Sequence, residues 1–96
     1  MIEPAPHVLN TLKKARKEGL PIAEWRKNAL FLFEYLCDTD QQTGMPSYDA
    51  VNFLSKEIAL ECVAELDCYF NTFGFTNQRE TDQWHELSRL LRKIYE

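Results

Sequence analysis

The stretch Ser47–Phe75, SYDAVNFLSKEIALECVAELDCYFNTFGF, decides the fold. Val51, Ile58, Cys62, Leu66, Tyr69 and Phe73 recur at helical spacing and make one apolar stripe, widened by Ala59, Val63 and Phe70. The spacing predicts a long helix from about Tyr48 to Thr72 with Ser47 as its N-cap. Phe73-Gly74-Phe75 reads as a Schellman stop, with Gly74 at C′ and Phe75 folding back as C″.

The same period continues on both sides of this stretch, and no segment keeps a period-two alternation for long. Downstream, Asn77 as N-cap with Glu80 three residues on forms a capping box for a helix from about Gln78 to Tyr95, whose seam is Trp84, Leu87, Leu91 and Ile94. Upstream, a helix from about Pro21 to Cys37 places Ile22, Trp25, Ala29, Leu32, Phe33 and Leu36 on one face, and Phe31 and Tyr35 on the other with Glu24 and Asn28. A first helix, from about Pro6 to Glu18, has only a thin stripe of Val8, Leu12 and Ala15 with Leu9 beside it, and is expected to pack as a lid. The predicted fold is therefore all-α. It is a small four-helix bundle-like domain with a short first helix, a long central third helix and mostly antiparallel neighbours, forming one domain over residues 1–96.

Composition narrows the functional classes. Fifteen acidic residues against 11 basic ones give a formal net charge of −4, which disfavours a general nucleic-acid binder that would rely on phosphate neutralisation. The longest apolar run, Ala29 to Phe33, is far short of the roughly 20 residues that span a bilayer, and Met1–His7 lacks the basic and apolar regions of a signal peptide. No membrane association and a cytoplasmic location are expected. The odd cysteine count, Cys37, Cys62 and Cys68 at irregular spacing, agrees with thiols in a reducing compartment.

Several segments invite a chemical reading. Cys37–Asp49, CDTDQQTGMPSYD, joins the second and third helices and places Asp38, Asp40, Gln42 and Asp49 at positions 1, 3, 5 and 12 of a calcium loop. The pattern fails where the sharp turn needs glycine, at Thr43, and where Asp49 is too short for a bidentate contact. It also fails at Gln42, a neutral amide. An Asx turn at Asp38 or Asp40 and a positive φ at Gly44 are expected instead. Cys62 and Cys68 point about 120° apart on their helix, with Cys62 toward the core and Cys68 outward. His7 and His85 are remote from them, so no metal or other cofactor is expected. Cys68 with His85 is the one pairing that could resemble an activated nucleophile, and His85 sits near Thr81, Ser88 and Arg92 on a solvated face. With no nucleophile elbow, phosphate loop or dinucleotide fingerprint, no enzymatic activity is expected.

Two surfaces remain. Glu57, Glu61 and Glu65, at i, i+4 and i+8, stack three carboxylates on one ridge with Asp67 at its edge and Phe53 and Leu60 flanking it. Such like-charge spacing is mildly unfavourable, and three readings fit it: a surface for a basic partner, a plain solvated helix face, or a counterpart to the lysine-rich first helix of the same chain. With Phe31 and Tyr35, this ridge is the candidate partner-binding surface. The expected function is binding to a basic protein partner, as an inhibitor or neutraliser of the immunity, antitoxin or phage anti-defence type. A first alternative rests on Lys13, Lys14, Arg16, Lys17, Arg26 and Lys27, a basic cluster around ARKEGLPIAEWRKN, where Ala15, Gly19 and Leu20 have the turn spacing of a helix-turn-helix regulator. Against it, Glu18 stands where an apolar residue belongs, and the would-be recognition helix runs on into Ala-Leu-Phe-Leu-Phe. A second alternative is an oligomeric adaptor or structural subunit associating through the Phe31 and Tyr35 face.

Overall fold

The computed structural model describes residues 4–19 and 21–95. They form four helices, α1 (Pro4–Glu18), α2 (Ile22–Cys37), α3 (Lys56–Phe73) and α4 (Gln78–Tyr95), with a 3-10 turn at Asp49–Phe53 before α3. The fold is all-α, as the apolar period requires. The one extended pairing among the described residues is an isolated antiparallel bridge between Thr39 and Pro46.

Helix α1 begins two residues earlier than expected because Pro6 still lies in the first turn, where backbone N–H groups have no intrahelical acceptor to lose. Its stripe is also more than a lid. Val8, Leu9, Leu12 and Ala15 are all buried, and the helix packs against both α2 and α3. In α2, Ala29, Leu32, Phe33, Leu36 and Cys37 enter the core, whereas Ile22 is exposed together with the rest of residues 21–24, where the first turn projects past the core. The core segment of α2 thus occupies the place of a recognition helix, and α1 closes at the charged and exposed Glu18, where the motif needs an apolar residue. Leu20 of that turn lies outside the described residues.

The central helix starts eight residues later than its stripe suggested. The Ser47 hydroxyl donates to the Asp38 carbonyl at 2.7 Å, so it ties down the preceding loop. The chain then passes through Tyr48 at φ 58, makes the 3-10 turn that buries Ala50 and Val51, and extends at Leu54 (φ −90, ψ 141). Ser55 is the working N-cap, its hydroxyl accepting from the Ile58 N–H at 3.2 Å. Ser55→Ala is expected to cost about 1 kcal/mol, seen as a lower urea midpoint at unchanged slope.

The far end of α3 follows the sequence more closely. Gly74 has φ 75 and ψ −175, a region essentially restricted to glycine, and its N–H donates to the Phe70 carbonyl at 2.8 Å. The ψ differs from the left-handed value of a Schellman turn and sends the chain out extended. Phe75 nonetheless folds back and stacks on Phe70, with ring centroids 4.6 Å apart. Asn77 then caps α4 by accepting from the Glu80 N–H at 2.9 Å, and the Glu80 carboxylate reaches Thr76 N–H at 3.1 Å, one residue earlier than a standard box. Trp84, Leu87 and Leu91 are buried and Ile94 half-buried, which seats α4 against α3.

Candidate functional site

The acidic ridge is answered largely from within the chain. Lys13 Nζ donates to Glu61 Oε1, and Arg16 Nη2 donates to Glu65 Oε1 at 2.6 Å. Helix spacing makes both pairs possible at once: Lys13 and Arg16 are one turn apart on α1, as Glu61 and Glu65 are on α3. Glu65 is only 2% exposed, so it is a buried partner of α1 and cannot serve as a surface group. Burial raises its carboxyl above the usual range, Arg16 and then Lys13 draw it down, and Glu61 opposes them. Glu57 and Asp67 remain exposed.

The flanking apolar residues are exposed: Phe53 by 77% and Leu60 by 51%. Phe53 projects from the 3-10 turn, not from α3. Phe31 is 51% exposed on α2, while Tyr35 is half-buried, packs on the core, and lines a shallow depression toward α4 with Arg79 and Gln83. The two aromatics stand one turn apart on α2, and Tyr35 leaves less of its surface open than Phe31 does.

The basic cluster is similarly divided. Lys13 and Arg16 are committed to Glu61 and Glu65, and the Arg26 guanidinium lies 5.6 Å from the centroid of the Phe73 ring. Lys14, Lys17 and Lys27 remain exposed. Three lysines on two helices give a smaller positive patch than the six residues promised in sequence.

The loop between α2 and the 3-10 turn is built by backbone bonds. Asp40 Oδ1 accepts from Gln42 N–H at 2.7 Å and more weakly from Thr43 N–H at 3.4 Å, an Asx turn. Gly44 takes φ 71, and its carbonyl accepts from Arg79 Nη2 of α4 at 2.8 Å. The Asp40 carboxylate thus holds the loop's own amides. Among the described residues, no three His, Cys, Asp or Glu side chains group as a metal site.

Cys37 and Cys62 are buried and Cys68 is half-buried. Burial first, and Glu34 second, push the Cys37 thiol up to about 12, which removes its nucleophilicity near neutral pH. His85 faces a groove between α3 and α4 whose lining does not include Cys68.

That groove is not legible in the sequence. It is an open depression of about 580 Å³. Phe70, Phe75 and Trp84 make its floor, and His85, Arg89, Arg92 and Lys93 stand on its α4 side opposite Asp67. The sequence signal was His85, Arg89 and Arg92 at i, i+4 and i+7, which puts one basic edge along α4. Without the position of Phe75, that edge reads as a solvated face.

No known protein family, curated protein or solved structure matches the chain. No helix among the described residues is long and apolar enough to cross a membrane.

Proposed function

We propose that the protein works by binding and neutralising a basic, partly apolar protein partner, through the face that carries Phe53, Glu57 and Leu60. The observation that supports this reading is the exposure of Phe53 and Leu60 on either side of Glu57 in the chain. A large aromatic side chain left in water forgoes the stabilisation of burial, about 1.5–3 kcal/mol, and a partner that covers it recovers that energy. Glu57 supplies the charge that selects a basic partner, because Glu61 and Glu65 are engaged by α1.

The test is affinity capture from the native host with the wild type, Phe53→Asp/Leu60→Asp and Glu57→Lys in parallel, each checked by circular dichroism. The expected result is a partner retained by the wild type, lost by the double variant and weakened by the charge reversal. A partner retained equally by all three folded proteins would defeat the proposal. Light scattering that shows a dimer broken by the double variant would move the reading to self-association. Salt-steep DNA binding abolished by changing Lys14, Lys17 and Lys27 to Glu would move it to nucleic acid.

A further inference from the structure

The groove between α3 and α4 has a composition at odds with the rest of the chain. Three of the 11 basic residues, Arg89, Arg92 and Lys93, line it against a single carboxylate, Asp67, in a protein whose net charge is −4. Its floor is aromatic. Phe70 and Phe75 stack at 4.6 Å, Trp84 lies 5.3 Å from Phe70, and Phe75 keeps an exposed face toward the groove. Arg89 is partly satisfied by Glu86 on its own helix, through Nε at 3.2 Å and a second bond from Nη2. Arg92 and Lys93 are exposed on the last turns of α4.

From these features we infer that the groove is a second binding site, distinct from the Phe53 and Leu60 face, and that it takes an acidic peptide segment carrying an aromatic residue. The aromatic side chain seats on Phe75 above Trp84, and the flanking carboxylates meet Arg92 and Lys93. The depression, about 580 Å³, has room for one aromatic side chain with its flanking residues. It is bounded by two helices and open along its length, which suits a chain passing through it. A long nucleic acid would meet the negative charge of the remaining surface over many phosphates, whereas a short acidic segment meets it over few. Asp67 opposes the ligand, and its removal therefore strengthens binding.

The probe is the peptide acetyl-Glu-Glu-Phe-Glu-Glu-amide, titrated into labelled protein and followed by amide chemical shifts. Saturating shifts are expected at Asn71, Phe75, His85, Ser88 and Arg92, with affinity falling as salt is added. Arg92→Gln/Lys93→Gln is expected to weaken binding about tenfold, Phe75→Ala to weaken it, and Asp67→Asn to tighten it. Phe53→Asp/Leu60→Asp should leave the titration unchanged, so failure here is separable from failure of the partner proposal. Absence of shifts at millimolar peptide would overturn the inference. So would equal shifts from the corresponding lysine peptide, affinity indifferent to both the Arg92/Lys93 and Asp67 changes, or tighter binding of deca-thymidylate.

Discussion

Phe70→Ala is expected to cost about 3–5 kcal/mol of stability, the largest loss of any single change considered, and to do so without touching a charged group. Phe70 is buried on α3, and its ring meets four others: Phe33 of α2 at 5.1 Å, Tyr69 at 5.1 Å, Phe75 at 4.6 Å and Trp84 of α4 at 5.3 Å. Truncation therefore removes transfer energy and leaves a space bounded by large flat side chains. These cannot close around it without leaving their edge-to-face and stacked arrangements, each worth about 0.5–1.5 kcal/mol. Domains of this kind have only about 5–15 kcal/mol in total, so the variant should lose a large share of its margin. A fall in Tm of roughly 4–8 °C for each kcal/mol provides the calorimetric measure. Phe70→Leu, which keeps most of the volume, should cost distinctly less. A Phe70→Ala protein within about 1 kcal/mol of the wild type would mean that these rings do not form a packed cluster.

That cluster also shows what could be read from the chain and what could not. Phe70, Leu66, Cys62 and Ala59 lie on a stripe of fixed period, and their burial follows from helix geometry alone. Phe75 folds back as Gly74 suggested, because the stop and its apolar follower are adjacent in sequence. The start of α3 failed for a different reason. Ser47 and Ser55 are both acceptable caps, and the choice is made by a bond from Ser47 to the Asp38 carbonyl, across a loop that periodicity does not describe.

Side chains that meet across helices were harder still. The three glutamates of the ridge are visible in the sequence, and an internal answer from the first helix is one of three readings it allows, beside a partner and a plain solvated face. Only the packing of α1 on α3 pairs Lys13 with Glu61 and Arg16 with Glu65, partners 48 and 49 residues apart. The α3–α4 groove needed the same kind of information, since Asp67 and His85 line one space only after Phe75 has turned the chain. Period identifies the buried face of a helix. It does not say which exposed residues of two helices will face each other.

Arg16→Ala is expected to destabilise the protein by about 2–3 kcal/mol at pH 7, and by much less at pH 4.5. Glu65 is almost fully buried, its Oε1 receives the Arg16 guanidinium at 2.6 Å, and its Oε2 is buried with no hydrogen-bond donor among the described residues. Removing Arg16 therefore leaves a carboxylate out of water with its principal counter-charge gone. The loss falls below the roughly 3–5 kcal/mol typical of a broken buried pair, because the Arg16 side chain is itself 47% exposed and Lys13 still acts on Glu65. Burial already holds the Glu65 carboxyl above its unfolded value, and the variant raises it further. An acid shifted in that direction favours the folded state below its unfolded pKa, about 4.3, and loses that contribution as pH rises through the folded value. Urea denaturation at pH 4.5, 6 and 7.5 should thus show a deficit that widens with pH. Arg16→Ala/Glu65→Met, which removes both charges, should recover most of the stability at pH 7.5. A deficit independent of pH and unrelieved in the double variant would mean that Arg16 acts through the packing of its aliphatic stem against α3, and that the ion pair contributes nothing to holding α1 in place.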